Sequence, residues 1–185
     1  MTNFGDAAVL IPLSAAILVW LWWFGDSRSA VWWAVSVGFC VGLTALLKIF
    51  FYGCPPASDM HSPSGHTAFS VLVYGALALA IAMQSGSLRR PLVIGIGAGF
   101  ILTIAASRLL LDVHSIAEVG LGLMIGTASL ALFGRKLYLL HQNRQAKLWP
   151  LVVTVWVLVT ILYGHKLHAE QFLHKITGFL QINCI

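Results

Sequence analysis

Lys48, Asp59, His61, His66, Arg108, Asp112, His114 and Glu118 are the residues of this chain whose types suit chemistry, and they stand at or between the ends of apolar stretches. Two cations with histidines and carboxylates suit a phosphate. The cations balance its charge, and a glycine amide such as that of Gly65 can donate to one of its oxygens. One histidine can attack phosphorus while a second protonates the departing oxygen. Glu118 follows His114 by four residues, a spacing that places both on one face of a helix. Its carboxylate can then hold one imidazole nitrogen and leave the other to attack. Zinc is the competing reading, because His61, His66 and His114 have acids nearby. Lys48 and Arg108 would repel a divalent ion there, so no metal or other cofactor is expected. Interfacial snorkelling could account for Lys48 alone. It accounts poorly for so many ionisable groups converging on one face, where each is a functional-site candidate.

The elements that position these residues are membrane helices. The chain has 185 residues, of which 59% are hydrophobic and 9% charged. Its mean hydropathy is +0.88, and a soluble domain carries roughly 25% charged residues. A soluble domain and a solvated disordered chain are both excluded. The net charge of +5 comes without a basic run or basic-aromatic patch, so nucleic acid is not an expected partner. Met1 to Asp6 carry no side-chain positive charge ahead of the first apolar stretch and do not read as a cleaved signal peptide.

Six apolar segments run roughly from Ala7 to Phe24, Ala30 to Leu47, Thr67 to Met83, Pro91 to Ala106, Ile116 to Phe133 and Leu148 to Tyr163. Each approaches the ~20 residues that cross a bilayer, and none alternates as a barrel strand would. The expected fold is an all-α bundle of about six transmembrane helices, a single domain over residues 1–185. Gly38 and Gly42, Gly95 and Gly99, and Gly122 and Gly126 each have the four-residue spacing that permits close helix packing.

Six spans put the loops at 25–29, 84–90 and 134–147 on one side, with seven of the eleven Lys and Arg residues. The positive-inside rule makes that side cytoplasmic and both termini external. Trp20, Trp22, Trp23, Trp32 and Trp33 are expected to form an aromatic belt at the cytoplasmic interface. Lys48, His66, Arg108, His114 and Glu118 then share the outer face.

The same residues carry a family resemblance. Pro63-Ser64-Gly65-His66 resembles the P-S-G-H motif of the type 2 phosphatidic acid phosphatase family. Ser107-Arg108, five residues and His114 resemble its third motif, with Glu118 where the family usually has Asp. The first motif, Lys, six residues and Arg-Pro, survives in part as Lys48 and Pro55-Pro56, without the Arg. The resemblance covers about residues 30 to 134. It implies that His114 is the nucleophile of a phosphohistidine, His66 the leaving-group acid and Glu118 the orienting carboxylate. Lys48, Ser64, Gly65 and Arg108 would hold the phosphate, without a metal. His61 is a possible auxiliary cation replacing the missing Arg, and Asp112 a less favoured orienting acid.

The family plan usually places the first motif after the third span. Here it follows the second, so this chain is expected to lack an initial helix and to carry a different C-terminal one. The substrate implied is a membrane lipid phosphate: phosphatidate, phosphatidylglycerophosphate, an isoprenyl diphosphate such as undecaprenyl diphosphate, or a lipid A phosphate. Phosphoryl transfer to another lipid, and non-catalytic lipid binding or movement, are the alternatives. From His165 to Ile185 the sequence reads as an amphipathic helix in the outer interface. Cys54 and Cys184 would face an oxidising compartment and could pair, with Cys40 buried mid-span.

Overall fold

The structure is a computed structural model that describes residues 2–53, 62–140 and 147–165. A 3₁₀ turn, Thr2–Gly5, leads into six α-helices: α1 Ala7–Phe24, α2 Ser27–Gly53, α3 Gly65–Gln84, α4 Arg90–Leu110, α5 Ile116–Leu140 and α6 Trp149–Leu162. There is no strand among the described residues. The first five helices are long and apolar enough to cross a membrane. Helix α6 has 14 residues, about 21 Å at 1.5 Å per residue, against a hydrocarbon core of about 30 Å. The fold class is therefore as expected, with a sixth helix shorter than a full span.

Local chemistry sets the ends. Asp6 caps α1 by accepting the Ala8 amide at 2.9 Å, and Gly25 closes it. Ser64 caps α3, and Pro91 stands in the first turn of α4, where its missing N–H costs nothing. Helix α4 continues past Ala106 to Leu110, which brings Arg108 into its last turn.

Helix α3 is the centre of the bundle, packed on α1, α2, α4 and α5. Lipid tails are as apolar as leucine, so helices associate in a membrane through close packing rather than through burial from water. One of the three glycine pairs supplies that closeness. A Cβ on Gly122 would lie 2.6 Å from the Ser64 carbonyl oxygen, and one on Gly126 would lie 2.5 Å from that of Ala68. These two glycines form the seam of α5 on α3. A Cβ on Gly38, Gly42, Gly95 or Gly99 would meet nothing within 4 Å among the described residues, so those pairs form no seam between the described helices.

The tryptophans divide as well. Trp22 and Trp23 are exposed, as a belt requires, and Lys136 Nζ lies 4.4 Å from the centre of the Trp32 ring. Trp20 and Trp33 are buried instead. Trp20 Nε1–H donates to the Lys147 carbonyl and Trp33 Nε1–H to that of Ser14, both at 2.9 Å. The belt reading fails for these two, because each indole is a cross-link between segments.

Candidate active site

Alternation of the helices brings the start of α1, the end of α2, the start of α3, the end of α4 and the start of α5 to one end of the bundle. Lys48 lies near the end of α2 and is buried at 3% exposure. Gly65 opens α3 beside it, and a Cβ there would be 3.8 Å from Lys48 Cε. The ammonium-bearing chain and the first amides of α3 are therefore neighbours. A helix N-terminus of this kind presents N–H groups and a positive dipole end to an anion. Ser64 is fully buried, and its Oγ accepts from the Thr67 hydroxyl at 3.0 Å and from the Thr67 amide at 3.4 Å.

Helix α5 begins with a capping box, Ser115-x-x-Glu118. The Glu118 amide donates to Ser115 Oγ at 3.3 Å, and the Ser115 amide donates back to Glu118 Oε2 at 3.1 Å. The same oxygen lies 2.8 Å from His114 Nδ1. His114 precedes the helix rather than lying within it. The expected pairing of His114 with Glu118 is present, but the reach of the capping carboxylate produces it, not a shared helical face. The Ser115-x-x-Glu118 pattern is itself a helix-start signal in the sequence, and it was the missed clue.

Glu118 also joins the stretch around residues 62–65 to the one around His114. Its Oε1 accepts the Ser62 amide at 2.8 Å, and its backbone carbonyl accepts the Ser64 amide at 3.0 Å. Among the described residues, the Ser62 and Ser115 amides and His114 Nδ1 thus converge on one buried carboxylate. In the tautomer that places the proton on Nδ1, Glu118 accepts it and the lone pair of the His114 ring lies on Nε2.

Arg108 is buried at 8% exposure in the last turn of α4. Its carbonyl accepts the Val113 amide, and that of Leu109 accepts the Asp112 amide, which is a Schellman ending. The residue in the left-handed position is Asp112, with φ of 51° and an exposed side chain. Asp112 is therefore the pivot of the turn that carries His114, and Glu118, not Asp112, holds the histidine. His61 lies outside the described residues, as do Asp59, Cys54, Cys184 and the tail from residue 166. Cys40 is buried, as expected.

One residue was not among the sequence candidates. Asp6 Oδ2 lies 3.8 Å from His66 Nε2. Asp6 is also largely buried.

Below these groups a cavity of about 590 Å³ runs between α1, α2 and α3. Lys48, Gly65 and His66 line one end, and Leu18 and Trp33 the other. Along α2, Lys48 and Trp33 are about 22 Å apart at 1.5 Å per residue.

Residues 48–138 match the PAP2 superfamily model, from the buried Lys48 through both histidines and Glu118. Over that stretch the chain is similar to the PAP2 superfamily. The match begins later than the stretch of resemblance read from the sequence and leaves α1 outside it. A protein of Klebsiella pneumoniae named Uncharacterized 22.5 kDa protein in cps region is 34% identical over 137 residues. That alignment takes in 70% of this chain and 64% of the relative, so the chain spans less than two thirds of that protein's length. No solved structure gives a significant match. The PAP2 match and the helices long and apolar enough to cross a membrane are what a phosphatase reading of this site can draw on.

Proposed function

We propose that this protein is a metal-independent phosphatase of membrane lipid phosphates or diphosphates, of the phosphatidate, phosphatidylglycerophosphate or undecaprenyl diphosphate type. The observation that carries the proposal is the His114–Glu118 contact of 2.8 Å at the same end of the bundle as the buried Lys48, Arg108 and Ser64 and the start of α3 at Gly65. His114 Nε2 attacks phosphorus, and the ester bond to the lipid oxygen breaks with its electron pair going to that oxygen. His66 gives that oxygen a proton, so the lipid alcohol departs and His66 is left as neutral imidazole. Water then attacks the phosphohistidine while His66 takes the water's proton, which releases phosphate and restores both histidines. Lys48, Arg108, the Ser64 hydroxyl and the Gly65 amide hold the phosphoryl oxygens as charge builds on them.

The cavity supports a lipid substrate. Its polar end meets the phosphate groups and its apolar length accepts a chain. The loops at 25–29 and 84–90 and the described part of 134–147 lie at the opposite end and hold Arg28, Arg89, Arg90, Arg135, Lys136 and Lys147. The positive-inside rule then favours an active site on the outer face of a bacterial inner membrane. The deciding experiment is phosphate release by purified protein from a panel of lipid phosphates with EDTA present. Free inorganic phosphate is expected. Label passed to a second lipid without free phosphate would favour transfer, and no turnover of any lipid would favour a non-catalytic lipid binder, in keeping with the Pro55 that stands where the family has Arg.

A further inference from the structure

We propose that Asp6 is a positioning residue for His66, the leaving-group acid. The inference rests on the phosphatase reading above. Asp6 comes from outside the stretch that matches the PAP2 model, and no motif of the sequence points to it.

The start of the chain is folded onto the site. Phe4 packs edge-on against Phe100 of α4, and its carbonyl accepts the Tyr74 hydroxyl of α3 at 2.7 Å. Gly5 is wedged beneath His66, since a Cβ there would lie 2.8 Å from Ile104 Cγ2 and 3.9 Å from His66 Cβ. These contacts fix the chain just ahead of Asp6. The Asp6 carboxylate then has two tasks. Oδ1 caps α1 through the Ala8 amide, which sets the rotamer, and Oδ2 faces His66 Nε2 at 3.8 Å. That separation is within ion-pair distance and beyond a direct hydrogen bond.

The chemistry requires such a group. His66 must carry a proton before the ester breaks, yet Lys48 lines the same end of the cavity and opposes a second cation there. A carboxylate beside the ring favours the imidazolium, whose charge is shared by both nitrogens. When the P–O bond breaks, the imidazolium proton passes to the lipid oxygen and His66 is left neutral beside the Asp6 carboxylate. The same neutral ring then accepts the proton of the attacking water and returns to its starting state. Asp6 itself exchanges no proton in this cycle.

The test is Asp6→Asn, because asparagine caps a helix as well as aspartate does and so keeps α1 in place. Full-length protein in lipid would be assayed on a lipid alkyl phosphate, which needs the acid, and on p-nitrophenyl phosphate, whose leaving group departs without one. Turnover of the lipid is expected to fall ~10–100-fold and that of the aryl ester less than ~3-fold. In a His66→Ala background the same substitution is expected to change lipid turnover less than ~2-fold, since its effect passes through the missing ring. Equal loss on both esters, no loss on either, or a full effect without His66 would overturn the role of Asp6 alone. Failure of the unaltered protein to hydrolyse either ester would sink the phosphatase reading and this inference together.

Discussion

Glu118 Oε2 lies 2.8 Å from His114 Nδ1, while Oε1 lies 2.8 Å from the Ser62 amide nitrogen. One carboxylate therefore sets both His114, the proposed nucleophile, and the loop that leads into Ser64 and Gly65. Glu118→Gln keeps the volume but replaces one acceptor oxygen with a donor and removes the charge that stabilises a cationic imidazole. Turnover of the best lipid phosphate is expected to drop at least ~10²-fold. Asp112→Asn is expected to stay within about twofold, since asparagine tolerates the left-handed turn that Asp112 occupies. Steady-state rates of the two variants check the ranking, and the reverse order would assign the orienting role to Asp112.

The contact of Gly122 with the Ser64 carbonyl leads to a second expectation. Gly122→Ala places a methyl 2.6 Å from that oxygen, so α5 must move off α3. Overpacking of this kind costs typically ~1–3 kcal/mol, and here it also displaces the residue that caps α3. Gly95→Ala and Gly99→Ala add a methyl to open space and a better helix former, a change of about 0.5–1 kcal/mol in the favourable direction. Thermal unfolding in detergent should separate the variants. Similar midpoints for Gly122→Ala and Gly95→Ala would refute the seam.

These glycines also show where the sequence stopped being informative. Spacing marks a possible seam but not the direction in which it faces, so three equivalent pairs yielded one contact. Helix α1 was legible to the residue because Asp6 caps it and Gly25 ends it. Helices α2 and α5 run beyond their apolar segments, since hydropathy discounts polar residues such as Lys48 and Tyr52 in α2 and Arg135 and Lys136 in α5. Lys48, His66, Arg108, His114 and Glu118 were legible because they stand at or beside helix ends and alternation puts those ends on one face. Asp6 belongs to the same face by the same alternation. Its pairing with His66 is a tertiary contact between distant segments, and no local pattern encodes that.

The two histidines should differ in what they abolish. His114→Ala removes the attacking nitrogen, so no labelled phosphate is expected to be trapped on the protein. His66→Ala leaves attack possible and removes the acid, a loss of ~10²–10⁴-fold on an alkyl ester. Rapid quenching at alkaline pH, which preserves a phosphohistidine, reads the label directly. Label on the His114→Ala variant would exchange the two assignments.

The cavity supports the last expectation. A lipid tail gains little by leaving the bilayer for an apolar groove, because both surroundings are equally free of water. What the groove between α1 and α2 can supply is alignment, holding the phosphate at Lys48 and His66 while the tail lies toward Trp33. Gly38 lines that groove, and a Cβ there meets nothing within 4 Å among the described residues, so a side chain added at this position starts in open space. Gly38→Leu is expected to lower kcat/KM for a long-chain lipid phosphate ~10-fold, about 1.4 kcal/mol of lost alignment. A water-soluble short-chain phosphate, which does not reach Gly38, should be hydrolysed at an unchanged rate. Measuring both substrates in one lipid preparation makes the comparison internal, and an equal fall for the two would place the tail elsewhere.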